Sequence, residues 1–118
     1  MPNGNLPAIT PAAFQVLLAL ARGRSHGYAI MGYVDELTAG SAKLGPGTLY
    51  RTLSRLSADG LVEEVTGRTG NGPHDARRRY YRLTELGRTV AVREARLLDR
   101  LTAAAAEAGL LDRQARSA

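Results

Sequence analysis

"GPGTLYRTLSRLSADG", residues 45–60, decides how this chain folds. Leu49, Leu53 and Leu56 recur at i, i+4 and i+7, so a helix from about Pro46 to Asp59 carries all three on one face, which must be core. Gly47, Arg51 and Ser54 lie on the far side, flanked by Thr48, Tyr50 and Arg55. These are small residues, hydroxyls and guanidinium groups, suited to hydrogen bonding along a groove. Gly45 caps the helix and Gly60 stops it. Pro46 costs little at the first helical position, where its missing N–H would be unpaired anyway. Gly47 leaves the backbone N–H groups bare, so that a phosphate can approach the positive end of the helix dipole without meeting a Cβ. The competing explanation is a tight turn that only glycine permits. Gly40 and Gly45 have the spacing of a nucleotide-binding loop, but Pro46 and Gly47 stand where Lys and Ser or Thr are needed.

Working outward, residues 1–9 form a loose arm, and Thr10 with Pro11 starts a first helix through Phe14, Leu17, Leu18 and Ala21 that Gly23 ends. Ser25 caps a second helix, roughly His26 to Thr38, with Ile30, Val34 and Leu37 on one face and Gly40 as its stop. Ser41 to Leu44 is a short extended piece. Beyond Gly60 the period changes: "LVEEVT" and "RRRYYRLT" are β-prone runs separated by "GRTGNGPHDA", a hairpin with a long glycine-rich tip expected to be disordered without a ligand. Alternation puts Tyr81 and Leu83 on the inner side, with Tyr80 and Arg82 opposite. Thr84 caps a last helix reaching about Ala108, and the remainder frays. The fold class is therefore mainly α with a small β-hairpin. It comprises an arm (1–9), a winged helix-turn-helix (10–84), a C-terminal dimerisation helix (85–108) and a tail (109–118). In that motif the third helix enters the major groove and the hairpin lies along the backbone.

Bulk properties fit this outline. The chain has 118 residues, enough for one small domain with a modest core, which a partner subunit would help to stabilise. Net charge is +5, and every basic residue except Lys43 is arginine, whose fork matches phosphates and guanine edges. The charge is concentrated centrally. In residues 1–40, Arg22 and Arg24 balance Asp35 and Glu36, whereas residues 41–83 set eight basic groups against Asp59, Glu63, Glu64 and Asp75, for +4. Cysteine is absent, which excludes disulfides and thiolate metal sites. No apolar run is long enough to cross a bilayer, and "MPNGNLPAITP" lacks the order of a secretion signal, so a cytoplasmic location without membrane association is expected. His26 and His74 are isolated and make a poor metal site; no cofactor is expected. No carboxylate pair or nucleophile–histidine pair marks an enzyme.

The residues expected to contact DNA are Lys43, Gly47, Thr48, Tyr50, Arg51, Ser54 and Arg55 around the third helix, with Arg68, Arg77, Arg78 and Arg79 of the wing. Tyr50 suits core edge or groove contact equally. The arginines of the third helix and wing are expected to lack carboxylate partners, which disfavours the alternative of a winged-helix protein–protein interaction module without DNA binding. The last helix bears more apolar surface than its own domain needs. Leu86, Val90, Leu97, Leu98, Leu101 and Ala105 point to pairing with a second copy in preference to folding back on the helix's own core, placing two reading helices roughly 34 Å apart on a roughly palindromic site.

"LLALARGRSHGYAIMGYVDEL" (17–37), "GPGTLYRTLSRLSADGLVEE" (45–64) and "RRRYYRLTELGR" (77–88) together resemble PadR-type transcriptional regulators, over about residues 14 to 88. The resemblance implies a homodimeric winged-helix repressor of the short class, with dimer contacts from the first helix (Phe14, Leu18) and the last. It also implies that Gly47, Thr48, Tyr50 and Arg51 face DNA, and that Tyr81, Thr84 and Gly87 build the strand-to-helix junction. Arg51 stands where members often have proline. Some members stack flat aromatic drugs on a tryptophan of the last helix; this chain has no tryptophan. A small-molecule inducer between the dimer's helices remains an open expectation, with no residue set that identifies it.

Overall fold

In the computed structural model, which describes residues 6–65 and 79–112, helix α1 (Pro11–Ala21) starts where the Thr10 hydroxyl accepts from the Ala13 N–H at 3.1 Å. Helix α2 (Gly27–Leu37) is capped by His26, whose Nδ1 accepts from the Ala29 N–H at 3.3 Å, and not by Ser25. Ser25 and His26 instead form strand β1 (Ser25–His26), too short to show any alternation in sequence. Gly40 ends α2 as expected, at φ of 78° with its N–H reaching back to the Asp35 carbonyl at 2.9 Å, but Ala39 before it is left-handed too, at φ of 52°. Residues 41 and 42 then turn back onto Thr38, with Ala42 N–H bonded to its hydroxyl at 3.2 Å, where an extended piece was expected.

Helix α3 (Pro46–Ala58) runs as its leucines require, with Leu49, Leu53 and Leu56 at most 2% exposed. It closes in a Schellman motif: Gly60, at φ of +77°, donates to Ser57 O at 3.0 Å and Leu61 donates to Leu56 O at 2.9 Å. That left-handed residue turns the chain directly into strand β2 (Val62–Val65). Strand β3 (Tyr80–Leu83) pairs antiparallel with β2, Val62 facing Leu83 and Val65 facing Tyr80, and with β1 on its other edge, giving the order β1–β3–β2. Tyr81 points inward at 5% exposure and joins Leu17, Ile30, Leu49, Leu53, Leu61 and Val90 in a single core. Its burial, with the Glu64 charge nearby, raises the phenol above its ordinary pKa, while Arg79 pulls the other way.

Helix α4 (Glu85–Glu107) is capped by Thr84, whose hydroxyl accepts from the Gly87 N–H at 2.9 Å and donates to Gly60 O at 2.7 Å. Its buried residues, Gly87 and Val90, both lie in the first two turns. Val90, expected at a dimer interface, is fully buried within its own protomer, because it fills the gap over the sheet and α1. Farther along, Leu97, Leu98 and Leu101 are 38%, 37% and 55% exposed. The helix end does not fray at once: Gly109 and Leu110 close it onto Ala106 and Ala105. The N-terminal arm is not loose over its described part either. Leu6 and Ile9 pack on the core, and Arg93 Nη2 donates to the Pro7 carbonyl at 2.7 Å. Among the described residues, no helix is long and apolar enough to cross a membrane.

Candidate nucleic-acid interface

The outer face of α3 follows from its inner one. With the leucines held in the core, Gly47, Thr48, Tyr50, Arg51, Ser54 and Arg55 are all exposed, and Lys43 is exposed just before the helix. A shallow hollow of about 660 Å³ runs along this face, lined by Gly47, Tyr50, Arg51, Ser54 and Arg55. Gly47 sits inside a regular helix without a positive φ, so no tight turn demands glycine there. An added Cβ would meet nothing closer than Arg51 Nη1 at 3.4 Å. No side chain caps the first turn, and Arg51 folds back over it, its Nη2 donating to the Thr48 hydroxyl at 3.3 Å. A guanidinium and the positive end of the helix dipole therefore share one spot, which favours an anion.

Arg51 and Arg55 border a second cleft, about 350 Å³, against residues 8–10. Asp59 lies four residues beyond Arg55 and lines that cleft too, yet among the described residues neither arginine is ion-paired. Tyr50 has both characters expected of it: the ring is 44% exposed, while its hydroxyl end lies over Gly27.

The wing differs from expectation. Arg79 pairs with Glu64 at 3.6 Å and Arg82 with Glu63 at 2.5 Å, because the β2–β3 register sets the two glutamates beside the two arginines. These side chains remain about half or more exposed, where such a pair contributes at most about 1 kcal/mol, so a phosphate can displace the carboxylate at little cost. Arg68, Arg77 and Arg78 lie outside the described residues. Two aromatic contacts escaped the sequence. The Tyr80 ring receives His26 edge-on at 5.4 Å and the Arg24 guanidinium at 5.4 Å, contacts that exist only because β1 pairs with β3.

Comparison with known proteins places this surface in context. An uncharacterized 37.1 kDa protein in a transposon of Streptomyces fradiae is 37% identical over 101 residues, covering 86% of this chain and 27% of that protein. A transcriptional regulator of Mycobacterium tuberculosis is 40% identical over 71 residues, covering 57% of this chain and 59% of that one. The chain thus spans about a quarter and three-fifths of the curated relatives it matches. The fold is shared with Bacillus subtilis PadR, solved in complex with operator DNA, at a TM-score of 0.63 and 20% identity over 75% of this chain and 48% of that chain. Residues 16–93, two-thirds of the sequence, match the family model of PadR-like transcriptional regulators, and the chain belongs to that family.

Proposed function

We propose that this chain is a double-stranded DNA-binding regulator that represses transcription as a homodimer on a roughly palindromic operator. The observation that carries this is the polarity of α3: leucines fully inside, and Arg51 and Arg55 outside, with no carboxylate partner among the described residues. The DNA complex of the Bacillus subtilis relative, which has the same fold, supports it. So does the arrangement in which Gly47, Thr48, Tyr50, Ser54 and Lys43 flank the arginines and Arg79 stands on the wing. The test is the salt dependence of duplex binding. Each phosphate contact contributes a slope of about −0.9 in log–log terms, so four or more contacts give a steep fall in affinity. Binding that is absent at low salt, or insensitive to it, refutes the proposal.

Dimerisation rests on the overhang of α4. Leu86, Leu97, Leu98 and Leu101 remain between 37% and 55% exposed, on a helix whose buried residues, among those described, are confined to its first two turns. Phe14 and Leu18 of α1 are half-buried, and Ala105 lies on α4 one turn beyond Leu101, available to extend the contact. A second copy covering these leucines would place two α3 helices about one duplex turn apart, roughly 34 Å. Leu97→Glu is expected to yield a monomer in sedimentation while leaving the fold intact, since residue 97 is outside the core. An unchanged mass would assign the interface elsewhere. Control by a small-molecule inducer between the paired helices completes the proposal.

A further inference from the structure

The first turn of α2 lies between the reading helix and the wing. The register requires it: His26 faces Tyr80 and Ser25 faces Tyr81, so the chain passes from β1 into α2 at the end of the sheet where β3 begins, next to Arg79. Val65 faces Tyr80 from the other strand, so the β2–β3 connection starts from this same end. On the opposite side Gly27 rests against α3. A Cβ there would run into Tyr50 Oη and come within 3.2 Å of Leu49 Cδ2. Gly27 therefore rests directly on the reading helix, and Tyr28 is the next residue of that first turn.

Tyr28 is 77% exposed, more than any other aromatic side chain among the described residues. Its ring adds nothing to the core, and among the described residues its hydroxyl has no hydrogen-bond partner. A large ring left in water at that position suits a wet interface, with an apolar body and a polar tip.

We propose that Tyr28 is a backbone clamp, its phenol donating a hydrogen bond to a phosphate oxygen of the DNA strand that passes from α3 to the wing. This rests on the DNA-binding function proposed above. The first turn of α2 adjoins α3 through Gly27 and follows the strand that pairs with β3 beside Arg79, so it borders the path of a duplex reaching both. Phosphate contacts of this kind set orientation and register without reading sequence. A neutral phenol also differs from the arginines in one measurable way: it adds affinity without releasing a counterion.

The experiment compares the wild-type chain, Tyr28→Phe and Arg51→Ala on a duplex selected from random DNA and on an unselected duplex, across a salt series. Tyr28→Phe removes one oxygen and keeps the ring. Affinity is expected to fall about five- to tenfold on both duplexes, with the salt slope and the thermal unfolding midpoint unchanged. Equal binding by Tyr28→Phe and wild type overturns the clamp alone. A loss confined to the selected duplex overturns it too, in favour of a base contact. A wild-type chain that ignores both duplexes overturns the DNA-binding function and the clamp with it. A Tyr28→Phe chain that binds DNA normally but sediments as a monomer assigns the residue to a protein interface instead.

Discussion

Gly87→Ala is expected to destabilise the chain by about 3 kcal/mol or more, and so to lower the thermal midpoint by more than about 10 °C. Two effects of opposite sign compete here. Alanine is the better helix former by about 1 kcal/mol, and Gly87 has no positive φ, so local backbone preference favours the substitution. Packing opposes it. A Cβ at residue 87 would be driven into the Leu61 carbonyl oxygen, with its carbon at 2.9 Å and Leu83 Cδ1 at 3.0 Å. The obstacle is backbone and cannot rotate away. The same carbonyl accepts from the Thr84 N–H at 3.0 Å, and the Thr84 hydroxyl holds Gly60 O at 2.7 Å, so displacing it loosens the whole junction between α3, the sheet and α4. Gly47→Ala is the control: its Cβ meets only the tip of Arg51, and stability should stay level or rise slightly while duplex binding falls. An unchanged midpoint for Gly87→Ala would show that the junction yields, and that glycine is not required there.

Arg51→Ala is expected to produce the largest loss of function. If the guanidinium reads a base edge, preference for a selected site over random duplex should fall by about 1 to 3 kcal/mol, roughly five- to 150-fold. The structure places Arg51 over the first turn of α3, its Nη2 on the Thr48 hydroxyl and its Nη1 beside Gly47, where an anion at the helix start would meet it. Selected and random duplexes distinguish the two roles of an arginine. An equal fall on both, with a shallower salt slope, makes Arg51 a phosphate contact. No change on either removes α3 from the interface. Because Arg51 is exposed and outside the core, the unfolding midpoint should not move, which separates this loss from that of Gly87→Ala.

Local features were legible in the sequence because their causes lie within one or two helical turns. The leucine spacing of α3 dictated both its buried face and, by subtraction, the exposed set from Gly47 to Arg55. Thr10, Gly45 and Thr84 marked helix starts, and Gly60 marked a helix end, since caps are contacts between residues three to five apart. The inward turn of Tyr81 followed from strand alternation.

Other features depend on residues distant in the chain, and only the tertiary structure decided them. Ser25 and His26 become a strand because Tyr80 and Tyr81 lie alongside, which no local pattern of two residues can announce. Arg79 and Arg82 meet Glu64 and Glu63 through the register of β2 against β3, which pairs residues about twenty positions apart. The arm is tied down by a bond from Arg93 to Pro7 across 86 positions. Val90 and Leu97 belong to one apolar stripe, yet one is inside and the other 38% exposed, because the domain beneath α4 ends before the stripe does. Sequence by itself determined which side of each helix is apolar, since periodicity is a property of the helix alone. Which parts of those sides are covered, and which are left exposed, was decided by where the other elements stop.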